Sequence, residues 1–106
     1  MINLCGYTFE GPYHDTSNIK DIPGIYAVLC NHNEVLYIGT SGEGMSASSQ
    51  GIKGRLNRHK YKSDWKDHCK SGQLEYAVMY IENQKQRLDI EKDLHKKCNP
   101  KFSTAI

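Results

Sequence analysis

Tyr26, Tyr37, Arg55, His59 and Glu91 have the types and spacing of a phosphate-handling site. The two phenols lie near the ends of a mirror-like stretch, GIYAVLCNHNEVLYIG, residues 24–39. Arg55 and His59 are four residues apart, one helical turn, so both can address one point. A guanidinium makes forked bonds to phosphate, and an imidazole moves a proton near neutral pH. At helical pitch Glu91 falls inside an apolar arc defined by Leu88, Leu94 and Cys98. A carboxylate there is unfavourable unless paired or bound to a metal. Two readings are open: Glu91 pairs with Arg87 one turn back, or it is a lone carboxylate ligand for Mg²⁺. That ion takes one or two carboxylates, several waters and substrate phosphate oxygens.

The tyrosines need a hairpin to bring them together. Ile25 to Cys30 and Val35 to Ile38 are β-branched and aromatic, bounded by Gly24 and Gly39, and read as strands. Asn31-His32-Asn33-Glu34 is the turn, rich in residues that tolerate positive φ. Simple alternation pairs Cys30 with Val35, Val28 with Tyr37, and Tyr26 with Gly39. The phenols then share a face as diagonal neighbours, and Gly39 leaves room for the Tyr26 ring. A slip of one residue would separate them. Strand tyrosines that only pack a ring and wet a hydroxyl fit the same pattern.

Arg55 and His59 need a helix, and the pattern predicts one from about Ile52 to Lys70. Ile52 and Leu56 face the sheet, and Arg55, His59, Lys62 and Lys66 form a stripe beside that seam. Between Gly51 and Lys70 there are seven basic residues and two acidic ones, a local charge of +5 in a chain of net charge +2. One segment therefore carries the positive field, which suits a polyanion partner; a basic face that is merely solvated fits it too. Trp65 and Tyr61 lie on another face and read as packing anchors. The polar loop before the helix, residues 40–51, is a flexible lid, a nucleic-acid contact or a solvated linker.

Gln73 to Ile81 reads as a third strand, with Leu74, Tyr76, Val78 and Tyr80 on one face and Glu75, Ala77 and Met79 on the other. Asn83 caps a second helix to about Lys97, which Asn99-Pro100 stops. Tyr7-Thr8-Phe9 is a candidate edge strand ended by Gly11-Pro12. The order β-β-α-β-α predicts an α+β fold, a small three-stranded, mainly antiparallel sheet flanked by helices. At 106 residues the chain is read as one domain, 1–106, with residues 1–22 as an N-terminal extension.

No apolar run approaches the ~18 residues of a membrane helix. The first residues lack a basic region followed by an apolar one, so no signal peptide is expected. Cys5, Cys30, Cys69 and Cys98 show no repeated spacing, and unpaired thiols in a reducing, cytoplasmic compartment are the expectation. His95-x-x-Cys98 and His68-Cys69 raise a structural zinc reading, but no pair of standard knuckles exists.

Taken together, the motifs resemble the GIY-YIG nuclease family. The matching residues are Gly24-Ile25-Tyr26, Tyr37-Ile38-Gly39, Arg55 with His59 four on, Glu91, and Pro100-Lys101-Phe102. The resemblance runs from Pro23 to Ser103, about four fifths of the chain. It implies hydrolysis of DNA phosphodiester bonds with one divalent metal, Mg²⁺ or Mn²⁺, and no covalent enzyme intermediate. By the same resemblance Glu91 holds the metal, Arg55 binds charge growing on the phosphoryl oxygens, and Tyr26, helped by His59, activates water. Tyr37 positions water or phosphate. Arg58, Lys62 and Lys66 contact DNA, and Gly39, Thr40 and Ser103 support the site. Two positions depart from the family pattern: Thr40 stands where many members carry Lys, and Ser103 where Asn is usual. An endonuclease and a catalytically weak or inactive nucleic-acid-binding module of the same fold are therefore both expected readings. With no second domain for base reading, specificity falls to loops, a homodimer or a partner protein.

Overall fold

The computed structural model describes residues 1–32, 34–41, 51–59, 63–69 and 72–102; of Arg55, Asn57, Arg58, His59, Ser63 and Asp64 it describes the backbone alone. The elements run β1 (Ile2–Leu4), β2 (Tyr7–Tyr13), β3 (Gly24–Cys30), β4 (Glu34–Ser41), α1 (Ile52–His59), α2 (Ser63–His68), β5 (Leu74–Tyr80) and α3 (Gln84–Cys98). The α+β class is as expected, but the sheet has five strands, in the order β1-β2-β5-β3-β4, all antiparallel. The three-stranded expectation fails at the N-terminus, where residues read as an extension supply β1 and β2. Cys5 and Gly6 both adopt positive φ (54° and 93°) between Leu4 and Tyr7. Two such residues give the tight turn whose twist suits a hairpin. Gly11-Pro12 does not end β2; the strand continues through it to Tyr13.

β3 lies between β5 and the edge strand β4 and is buried at every position. Its alternation feeds two cores. Tyr26, Val28 and Cys30 join Ile52, Leu56, Trp65, Cys69, Tyr76 and Val78 on one face. Ile25, Ala27 and Leu29 join Phe9, Ile38, Ala77 and Leu94 on the other. Helices α1 and α2 thus cover one face and α3 the opposite one. The two faces of β5 divide as its sequence predicts: Tyr76 and Val78 go one way, Ala77 and Met79 the other.

The basic helix expected from Ile52 to Lys70 is described in two parts, α1 and α2, with residues 60–62 outside the described residues. Trp65 on α2 is fully buried, as its packing role requires. Asn83 caps α3, its side chain accepting from Gln86 N at 2.9 Å. Asn99 ends that helix in the left-handed conformation, φ 47°, returning its N–H to the His95 carbonyl. Beyond Pro100 the chain turns onto the outer edge of β4, where Lys101 N and Phe102 N donate to the carbonyls of Val35 and Leu36 at 3.3 and 2.7 Å.

All four cysteines are paired, Cys5 with Cys98 and Cys30 with Cys69. This corrects the expectation of unpaired thiols. Linear spacing carried no sign of it, because each bridge joins elements that only the tertiary fold brings together. The pairing also removes Cys69 and Cys98 from any zinc site. No helix among the described residues is long and apolar enough to cross a membrane.

Candidate functional site

The hairpin register places the tyrosines as their alternation predicts. Tyr26 lies opposite Gly39, and Val28 opposite Tyr37. The two rings stack, with centroids 6.0 Å apart and planes at 20°. The remaining predicted pair needs correction: Val35 faces Leu29, and Cys30 faces Glu34. Leu36 is the extra residue of a bulge between them. A bulge sets two residues against one on the partner strand. Leu36 and Tyr37 consequently both serve the core beneath α1 and α2.

Gly39 is what lets Tyr26 lie over β4. A Cβ there would stand 2.6 Å from the Tyr26 hydroxyl oxygen and 2.7 Å from its Cζ. Tyr26 itself is fully buried. Tyr37 is half-buried, its other side against Trp65 at 5.3 Å between centroids.

Helix α1 lies over this pair because Ile52 and Leu56 pack into the same core. Its start is fixed by the segment before β3. Ile52 N donates to the Ile22 carbonyl at 3.0 Å, and Gly54 N to Asp21 Oδ1 at 2.9 Å. Gly51 makes room for Asp21, which occupies the space a Cβ would need. A carboxylate at a helix N-terminus is favoured by unpaired N–H groups and by the helix dipole. Residues 55 and 59 therefore sit one turn apart on a helix seated over the tyrosines. The side chains of Arg55, Arg58 and His59 lie outside the described residues, as do Lys62, Ser103, Tyr61 and positions 42–50 of the polar loop. Thr40 and Ser41, read as the loop's edge or near it, are instead the buried end of β4. Lys66 is exposed on α2.

Glu91 points inward, 4% exposed, as its helical projection predicts. Arg87 does not neutralise it: the buried guanidinium donates from Nη1 to the carbonyls of Ile81 and Glu82 at 2.9 and 2.8 Å. The group beside Glu91 is an imidazole on the next turn instead, with His95 Nε2 3.6 Å from Glu91 Oε2. Burial holds the His95 imidazole below its ordinary range, opposed by a hydrogen bond to the Ile38 backbone. His95 was legible as the residue four beyond Glu91. The His95-x-x-Cys98 spacing instead suggests a zinc pair.

Glu91 and the tyrosines lie on opposite faces of the sheet, with the edge strand β4 between them. α3 leaves its C-terminus near Val35 and Leu36, and His95 contacts Ile38. Glu91 lies one turn earlier on α3. Beside it runs an open cleft of about 520 Å³, lined by Gln84, Lys85, Leu88, Asp89, Glu91 and Lys92. Among the described residues, no group of three or more His, Cys, Asp and Glu side chains stands ready-made for a metal ion. Glu91 fits a single-carboxylate role, completed by water and substrate oxygens, better than a protein cage. In comparisons with protein-family models, curated proteins and solved structures, the chain has no match.

Proposed function

We propose that the chain is a metal-dependent endonuclease of GIY-YIG type that hydrolyses DNA phosphodiester bonds. The observation that carries the reading is the Tyr26–Gly39 register with Tyr37 stacked on Tyr26. It sets two phenols side by side beneath a helix that carries Arg and His one turn apart. Supporting it are an inward carboxylate at the far side of the edge strand and a basic segment of local charge +5. Glu91 is the residue that would hold Mg²⁺ or Mn²⁺. Such an ion supplies Lewis-acid polarisation of the phosphate and charge for the leaving oxygen. Arg55 binds the charge that grows on the phosphoryl oxygens. Tyr26 and His59 take the proton of the attacking water, and Tyr37 orients it. A phenol has its ordinary pKa near 10, so it serves as a base only with cationic support nearby. With Thr40 where a lysine would add such support, that task falls to Arg55 and His59. Arg58, Lys62 and Lys66 contact the DNA backbone, and binding is expected to weaken steeply with salt.

A second reading is favoured by one observation, the complete burial of Tyr26. A phenol with no solvent access suits a nucleic-acid-binding module that keeps the fold without the chemistry. The two disulfides likewise weigh against an intracellular site of action, since such bonds persist in oxidising surroundings.

Supercoiled plasmid with Mg²⁺ or Mn²⁺ separates these. The parent protein is expected to nick or linearise it and Glu91→Ala to leave it intact. Equal cutting by both would remove Glu91 from the reaction. Salt-dependent binding without cutting under either metal would select the binding module.

A further inference from the structure

Glu75 is the other inward carboxylate. It lies on β5, on the Ala77 and Met79 side, and is 1% exposed. Two imidazoles from separate parts of the chain meet at its Oε2. His14 Nε2, just past β2, hydrogen-bonds it at 3.0 Å, and His32 Nδ1, in the β3–β4 turn, lies 2.9 Å away. Both rings are open to solvent, 57% and 68% exposed. A carboxylate that accepts one ring N–H fixes the tautomer and leaves the lone pair on the other nitrogen. The outer nitrogens, His14 Nδ1 and His32 Nε2, thus belong to two solvent-open rings gathered at one oxygen. One buried carboxylate balances one imidazolium, so the cluster is neutral with one ring protonated and the other not. In that state a general acid and a general base stand side by side.

We propose that His14 and His32 are an acid–base pair that cleaves RNA through its 2′-hydroxyl. Among the described residues, no hydroxyl or thiol is bonded to either ring, so the substrate must bring its own nucleophile. A ribose 2′-hydroxyl beside a phosphodiester does so. The neutral ring takes the 2′-hydroxyl proton as that oxygen attacks phosphorus. The bond from phosphorus to the 5′-oxygen breaks, and the imidazolium gives its outer proton to the departing oxygen. The products are a 2′,3′-cyclic phosphate and a 5′-hydroxyl. The two rings have then exchanged protonation states, which water resets. Glu75 touches no reacting atom and is a positioning residue that holds both rings. Positive charge adjoins the pair, because the basic segment of residues 51–70 ends on the β3–β4 turn. Cys69 is bridged to Cys30, Gln73 N donates to Asn31 Oδ1 at 3.3 Å, and His68 Nε2 lies 2.8 Å from Glu34 Oε2. A polyanion drawn to that segment is brought beside His32. The site is separate from the tyrosine pair. Val78, the β5 partner of Tyr26, is three residues along, roughly 10 Å. It therefore stands or falls independently of the nuclease reading.

The test is a single-stranded DNA oligonucleotide carrying one ribonucleotide, with its all-DNA counterpart, incubated with disulfide-intact protein in EDTA. Cleavage after the ribonucleotide is expected, with 2′,3′-cyclic phosphate and 5′-hydroxyl ends identified by mass spectrometry. The all-DNA strand should stay whole. Glu91→Ala should cut at the parent rate, which separates this activity from the metal-dependent one. His14→Ala and His32→Ala, both at exposed rings and so safe for folding, should each lower the rate by about a hundredfold or more. Glu75→Gln keeps an acceptor without the charge and should lower kcat far more than it raises KM. No cleavage in EDTA, cleavage of the all-DNA strand, or cleavage kept by either histidine variant, as a contaminating ribonuclease would give, would each overturn the proposal.

Discussion

Tyr26 and Tyr37 stack with centroids 6.0 Å apart because the residue opposite Tyr26 is a glycine. In Gly39→Ala the new Cβ would meet Tyr26 Oη at 2.6 Å, Tyr26 Cζ at 2.7 Å and Tyr37 Cε1 at 3.0 Å. The strain comes from crowding, since Gly39 is not among the positive-φ residues. Tyr26 is sealed in the core and has nowhere to withdraw. Overpacking of this kind destabilises by about 1–3 kcal/mol. The midpoint of urea unfolding should fall accordingly at unchanged slope, and plasmid cleavage should fall with it. An unchanged midpoint would mean that the Tyr26 ring does not lie over β4.

Arg55→Ala distinguishes a catalytic from a merely binding arginine. If its charge is used mainly in the transition state, the cleavage rate should drop by about 10²–10³-fold, as when one preorganised donor is removed. Affinity for the same DNA should change much less, and the slope of log affinity against log salt should flatten by about one. A loss confined to affinity would place Arg55 with the backbone contacts.

Much of this arrangement was legible in the sequence, and the failures have local causes. Alternation gave the two faces of β3 and β5 and the Tyr26–Gly39 pair, helical pitch gave the inward Glu91, and capping chemistry gave Asn83. It failed at Val35 because a bulge inserts Leu36, and strict alternation contains no signal for an extra residue. The first hairpin was missed because its turn, Cys5-Gly6, asks a cysteine to adopt φ 54°, which turn chemistry does not favour. The disulfides and the His14–Glu75–His32 cluster are contacts across more than 35 residues, beyond the reach of any local pattern. Glu75 itself was visible as a carboxylate on the face shared by Ala77 and Met79, but its partners were not.

A surface relay on α3 gives a pH prediction. Tyr7 donates to Asp93 Oδ2 at 2.6 Å, and Lys97 lies 3.0 Å from the same oxygen. The bond to Asp93 raises the Tyr7 phenol above its usual value, and the bond from Tyr7 holds the Asp93 carboxyl below the usual range. A raised phenol contributes stability below about pH 10 that is lost as pH rises through the folded value. A depressed carboxyl contributes stability above about pH 4 that is lost as pH falls through its folded value. Tyr7→Phe should therefore lower stability across the neutral range and flatten both limbs of the stability curve. Chemical denaturation at pH 3, 7 and 10.5 measures it. The groups are only partly buried, and the effect should be small and weakened by salt. Parallel curves for parent and variant would show that the relay does not form in solution.

The bridge between Cys30 and Cys69 joins the end of β3 to the turn after α2, the helix whose Trp65 packs on Tyr37. It closes a loop of sequence separation 39, and Cys5–Cys98 closes one of 93. On loop entropy alone these contribute about 4 and about 5 kcal/mol respectively, if the reduced chain is unstructured. Domains of this size have only about 5–15 kcal/mol in total. Full reduction should therefore lower the melting temperature by tens of degrees, and Cys30→Ala with Cys69→Ala by somewhat less than half of that combined effect. The double variant has a second consequence: α2 loses its tether, so Trp65 fluorescence should shift toward that of a more exposed indole before global unfolding. Thiol titration of denatured, unreduced protein should find no free thiol. Four free thiols, with melting unaffected by reductant, would restore the reducing-compartment reading and leave Tyr37 held by packing alone.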